Sequence, residues 1–322
     1  MPLPIRFIAS WGQEVVIAFF LLSGFLIFYS LNHKYFSFKV FLRKRFQRIY
    51  IPFLVSLIVS LIVAYLTGTL SKLFTWSDLI GNLLLLQDFG SVKPGTWFYP
   101  FLGNLPLWTL SYQWWFYLLV YPAYRFLPKS RNRMYLVLLF SSTAYLIYWI
   151  WPNQVCLIFS YFILEWLGIE LGYLYCQYRT LTWQNTKHCL ISMSVMVLLT
   201  IVPFFWISNL KFGYYPFLMF RHFFMGFLFL VASILGFYLR DKISIQKIFS
   251  IFTKISPITY GLYVLHYPIL VQWGLRNAKA NGQVNWVEWG IAFIILIILS
   301  YVAEIQLPKL FKKFLAKFGH SQ

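Results

Sequence analysis

Phe19-Phe20-Leu21-Leu22-Ser23-Gly24-Phe25, followed by Arg43-Lys44-Arg45-Phe46-Gln47-Arg48-Ile49-Tyr50-Ile51-Pro52, is the stretch on which the reading of the fold turns. The first half lies within an apolar run long enough for a helix to cross a bilayer. Its Ser-Gly pair at mid-depth lets another backbone approach closely and leaves a hydroxyl inside the protein. The second half is a dense cationic turn where the chain emerges, which sets the orientation of everything downstream and puts anion-binding chemistry at one membrane face.

Working outward, the 322 residues are 60% hydrophobic, 22% aromatic and 11% charged, with a mean hydropathy of +0.69. A soluble domain is nearer half apolar and a quarter charged, so the chain reads as a polytopic membrane protein. Apolar runs predict nine spans, over residues 12–31, 49–69, 105–127, 134–151, 154–177, 189–208, 217–239, 257–274 and 286–307. Residues 76–89 are apolar but too short to cross and read as a re-entrant or interfacial helix. The expectation is an all-α transmembrane helix bundle, one domain over residues 1–322 with no appended soluble domain.

The net charge of +19 raises nucleic acid as a partner. The cations, however, sit in short loops between spans, as membrane topology requires, so no nucleic-acid partner is expected. With the loop after the first span cytoplasmic, most cations fall on that side and the C-terminus is cytoplasmic. The opposite side holds Arg6, Lys72, Lys93, Lys211, Arg276 and Lys279. Cys156, Cys176 and Cys189 have neither disulfide nor metal spacing and read as small buried hydrophobes. No metal-spaced cluster, P-loop or GxSxG elbow is present.

Several polar residues stand inside the spans. Ser23 is either a site hydroxyl or part of ordinary small-residue packing. Arg45 and Arg48, three apart, share a helix face; they suit a phosphorylated ligand, or else serve as topology determinants or lipid-headgroup contacts. Asn104 is a plausible N-cap for a helix in which Pro106 occupies the first turn and Thr109, Gln113 and Phe116 share a face. The Gln113 amide is interhelical glue or a site residue. Tyr260, Tyr263 and His266 form an aromatic-polar stripe, and Pro268 removes the donor for the Val264 carbonyl and kinks that helix. Glu165 lies near mid-membrane with Glu170 five residues on; Arg221 and His222 are near enough in depth for Arg221 to pair with Glu165 or to snorkel.

At this point the chain resembles the acyltransferase 3 family of bacterial membrane O-acyltransferases. Residues 12–25 are similar to that family's G..V..FF..SGF helix, and Arg45-Phe46-Gln47-Arg48-Ile49-Tyr50-Ile51-Pro52 to its R..R..P turn. Leu107-Trp108-Thr109-Leu110-Ser111-Tyr112-Gln113 resembles its lWSLs.E segment and Tyr260-Gly261-Leu262-Tyr263-Val264-Leu265-His266-Tyr267-Pro268 its Y..Yl.H.P segment. Gln306-Leu307-Pro308 is placed like the terminal E.P. Three departures touch chemistry: the family's first helix, bearing an Arg and the His expected as general base, does not precede this pattern, and two glutamates are replaced by Gln113 and Gln306.

The resemblance implies transfer of an acyl group, acetyl in the usual case, from a cytoplasmic acyl-CoA co-substrate to a hydroxyl of an extracytoplasmic glycan, with no bound cofactor or metal. It implies a multi-pass protein of the bacterial inner membrane, in contact with lipid, and a separate partner protein could supply the missing catalytic part. The matching positions make Arg45 and Arg48 the donor-binding pair, with the thioester reaching a site near Ser23, Gln113, Tyr263 and His266. Trp108, Glu165 and Arg221 are expected to be structural or to line that site. A truncated, non-catalytic family member and a secondary transporter coupled through Glu165 and Arg221 are the other readings at this stage.

Overall fold

A computed structural model describes residues 12–33, 37–128, 130, 132–207, 210–240, 256–275 and 284–310 of the chain. The regular structure of these residues is helical, apart from a lone bridge between Gln87 and Phe98. The principal helices are α1 (Gly12–His33), α2 (Phe38–Leu66), α3 (Trp76–Leu83), α4 (Trp108–Phe126), α5 (Asn132–Ile150), α6 (Gln154–Tyr178), α7 (Lys187–Ile201), α8 (Phe217–Leu239), α9 (Thr259–His266) and α10 (Trp286–Tyr301). Seven of the described helices are long and apolar enough to cross a membrane. The two remaining expected spans are realised as α4, which lies outside that set of seven, and as a broken segment that starts with α9. Exposed Ile58, Ile62 and Ile294 on α2 and α10 fit outward faces solvated by lipid.

The chain divides into two compact units. Unit 1 contains α1, the Gly90–Thr96 loop, α4 from Tyr112 onward, and α5 to α8. Its centre is α6, which is buried along most of its length and packs against α1 and α5. Glycine makes the α1–α6 approach possible. A methyl group on Gly24 would overlap the Glu165 carbonyl oxygen, and one on Gly168 would overlap the carbonyl oxygen of Leu21. The backbones therefore touch at reciprocal points, and side chains just beside them are sealed from solvent. Asn153 starts α6 by accepting from the Cys156 amide at 2.9 Å. The Gly90–Thr96 loop is tied into the same unit: its Val92 carbonyl accepts from the Tyr215 amide at 2.9 Å and its Pro94 carbonyl from the Tyr148 hydroxyl at 2.8 Å.

Unit 2 contains nearly all of α2, then α3, the Trp97–Ser111 segment, α9 and α10. α3 is the short helix foreseen within residues 76–89, capped by the Thr75 hydroxyl, which accepts from the Asp78 amide at 3.1 Å. α9 ends at His266 and gives way to a wider π-helical turn over Tyr267–Trp273. The cause is Pro268, which cannot donate to the Val264 carbonyl. That carbonyl is satisfied instead by Asn104 Nδ2 at 3.2 Å, the same amide that reaches Ser60 Oγ at 3.2 Å. Asn104 therefore makes no side-chain cap, contrary to the expectation, and works as a cross-brace. A second π-helical turn, Val302–Gln306, follows α10.

The cysteines are free thiols; Cys189 is buried, while Cys156 and Cys176 are half-exposed rather than core.

Candidate functional site

The sequence-selected residues separate into a sealed cluster in unit 1 and a charged cavity in unit 2. In unit 1 the small Ser23-Gly24 pair and the glycines of α6 bring α1 against Glu165, and α4 delivers Gln113 to the same place. Gln113 Nε2 donates to Ser23 Oγ at 2.9 Å and to Glu165 Oε1 at 3.2 Å. Glu165 is fully buried, and Gln113 and Ser23 are 1% and 9% exposed. Gln113 Oε1 accepts no hydrogen bond from any described residue.

The ion pair of Arg221 is formed with Glu14 on α1, and its guanidinium also donates to the Phe212 carbonyl at 2.9 Å and lies over the Phe212 ring. Arg221, for which the sequence offered Glu165 or snorkelling, thus pairs with an acid in the first turn of α1. Glu170 is held on both oxygens, by Arg133 Nε at 2.6 Å and His188 Nε2 at 3.1 Å, which ties α5 and α7 to α6.

Two groups of unit 1 that the sequence reading named without a site role are buried. Lys93, expected in an outer loop, is 2% exposed, donates to the Tyr112 hydroxyl at 3.3 Å and sits over the Tyr112 ring. His222 is fully buried and shares a 2.7 Å hydrogen bond with the Tyr161 hydroxyl. The position of Tyr112 next to Gln113 was the available signal for Lys93, but no periodicity links a loop lysine to it.

In unit 2, α2 presents Lys44, Gln47, Arg48, Ile51 and Pro52 along one face, and Glu304 and Pro308 close a cavity of about 340 Å³ with them. The volume lies at the lower end of the range for small-ligand sites. Two cations against one carboxylate leave its lining net positive, and Arg48 supplies a planar fork suited to phosphate. Glu304, on the π-helical turn, accepts from the Gly261 amide. Arg45 points elsewhere on α2, its guanidinium 5.4 Å from the centre of the Phe41 ring.

Tyr263 donates its hydroxyl to the Pro106 carbonyl at 3.1 Å, and Trp108 is buried at the start of α4. His266 is half-buried, with Nδ1 2.5 Å from the Tyr263 carbonyl. A carbonyl oxygen can only accept, so Nδ1 carries the proton and Nε2 of the neutral ring keeps its lone pair.

Comparison with known proteins identifies the family. A family model described as an acyltransferase domain matches residues 2–305. Acyltransferase MdmB of Streptomyces mycarofaciens is 34% identical over 124 residues, which is 38% of this chain and 31% of the relative. The match thus spans about a third of that relative's length. No solved structure matches the chain. A match over almost the whole chain makes the protein a member of the acyltransferase 3 family.

Proposed function

We propose that the chain is a membrane O-acyltransferase that moves an acyl group, acetyl in the first instance, from an acyl-CoA-type donor to a hydroxyl of a cell-surface saccharide. The observation that carries the donor side is the cavity lined by Lys44, Gln47 and Arg48. Phosphate groups of the donor would be held there, by Arg48 in bidentate fashion and by Lys44 as a point charge. Arg45, next to Lys44 in sequence, is not among the cavity's lining residues, and its guanidinium lies 5.4 Å from the centre of the Phe41 ring. On this reading the cavity faces the cytoplasm, the chain sits in the bacterial inner membrane with its C-terminus inside, and the saccharide comes from the opposite side.

The reaction forms an ester C–O bond as the thioester C–S bond breaks. The acceptor hydroxyl gives up a proton, and the departing thiolate takes one. His266 is the group suited to the first transfer, since its Nδ1 is committed to a carbonyl and its Nε2 is basic. Such a base contributes about 10²- to 10⁴-fold in rate. The decisive experiment is acyl analysis of surface glycans with and without the gene: loss of a specific O-acyl group is expected, and an unchanged acyl profile overturns the reading. The donor side is tested separately with the double variant Arg45→Ala, Arg48→Ala, which should lose acyl-CoA binding while remaining folded; unchanged affinity refutes the donor role.

A further inference from the structure

Within unit 1, the end of α4 and the start of α5 border a groove of about 350 Å³ whose lining residues are all apolar. Its place follows from the sequence of α4. Leu119, Pro122, Ala123 and Phe126 fall at i, i+3, i+4 and i+7 and share one face. Pro122 cannot donate to the Leu118 carbonyl, and Ala123 ends at its β-carbon, so the centre of that face is shallow. α5 packs closely along α6 but only sparsely against α4, which leaves the gap between them. Val137 and Phe162, each 3% exposed, form its floor, and the Phe162 ring stands edge-on to Phe140 at 6.2 Å. From Leu119 to Phe126 the groove runs about 10 Å along the helix.

The rim is different in character. Phe126 is 87% exposed where α4 ends, and Arg125 beside it is exposed. Over residues 125–133 the sequence holds four cations and no acid. One of the four, Arg133, is committed to Glu170. The inner end, at Phe140, lies along α5, a helix long and apolar enough to cross a membrane. The walls offer water no hydrogen bond, and an empty gap of this size would forfeit dispersion contacts along its lining. An alkyl chain fills such a space, and a negative head complements such a rim.

We propose that this groove binds an anionic phospholipid, with one acyl chain lying between α4 and α5 and the phosphate-bearing head at Arg125. The site goes beyond the acyl-transfer reading and does not depend on it, since its residues lie apart from the charged cavity of unit 2.

The test is native mass spectrometry of the full chain in detergent, titrated with phosphatidylglycerol and with phosphatidylcholine of the same acyl chains. The first lipid bound by wild type should be phosphatidylglycerol, preferred by roughly fivefold or more, the worth of one cation near a charged lipid surface. Arg125→Gln should weaken phosphatidylglycerol by roughly fivefold and leave phosphatidylcholine unchanged. Ala123→Phe sets a ring in the groove and should weaken both lipids roughly tenfold or more, the loss of as few as two buried methylenes. Because a bulkier residue can also disturb α4, wild type is labelled in parallel with phosphatidylglycerol carrying a diazirine at the end of one chain. Labelling should concentrate on Leu119 and Phe140. Equal affinity for the two lipids, or gradual uptake with no first tight site, shows an annular lipid only and overturns the proposal. So does a preference that survives Arg125→Gln, wild-type binding by Ala123→Phe, or labelling spread evenly over the exposed faces of α2 and α10.

Discussion

Unit 1 turns its buried polar side chains towards one another, whereas unit 2 turns the charged side chains of α2 and of the turn after α10 into an open cavity. Glu170 lies between Arg133 and His188, Glu14 against Arg221, and Glu165 against Gln113, all with little or no exposure. Lys44, Arg48 and Glu304 instead border about 340 Å³ of space. The same residue types therefore serve different ends. Sealed pairs fix helices at defined positions and orient hydrogen-bond donors, at the cost of desolvation; charges bordering a cavity remain able to meet a ligand.

This contrast can be broken most forcefully at Arg133. Arg133→Ala leaves Glu170 buried without its closest cation, and removing one partner of a buried pair costs about 3–5 kcal/mol. A large fall in thermal midpoint in detergent is expected; an unchanged midpoint would mean that water already reaches the pair. Next comes Gly168→Ala, whose methyl group meets the Leu21 carbonyl oxygen across the α1–α6 contact. Overpacking of this kind costs about 1–3 kcal/mol. Gly236→Ala, with open space around its Cβ, is the control and should be silent.

In unit 2 the order of effects reverses. Lys44→Ala should change stability by no more than about 0.5 kcal/mol, as for a surface position. The same change should weaken acyl-CoA binding by roughly tenfold or more, the value of a charge-assisted hydrogen bond. Isothermal titration in detergent reads the second quantity, and loss of fold without loss of affinity would erase the distinction between the units. Tyr263→Phe is the mildest test. It removes one hydroxyl-to-carbonyl bond, to Pro106, and should lower stability by about 0.5–1.5 kcal/mol. A greater loss of activity than of stability would move Tyr263 from brace to participant.

Much of this was legible in residues taken singly. The kink at Pro268 follows from a missing donor, and the helix does change character there. Ser23 and Gln113 were both singled out as buried polar groups, and both are buried. What failed was partner assignment. Arg221 pairs with Glu14, more than 200 positions away in the chain. Asn104 braces the Val264 carbonyl instead of capping its own helix. Lys93 is drawn inside unit 1 from a loop that hydropathy and charge alone place in water. Local patterns specify what a residue can do, but its partner depends on which helices pack together.

The sequence by itself determined the class of this protein. Apolar runs of bilayer length, cations concentrated in the loops between them and motifs in family order point to a helical membrane bundle. It also marked Gly24 as a point where another backbone could approach, though Gly168 as the reciprocal point came only from the packing of α1 on α6. The tertiary structure alone decided that the Gln113 amide donates to both Ser23 and Glu165, and that Lys44 rather than Arg45 joins Arg48 at the cavity. The reason is directional: hydropathy and spacing are properties of one segment, whereas a hydrogen bond's polarity and a cavity's lining depend on the angle at which separate helices come together.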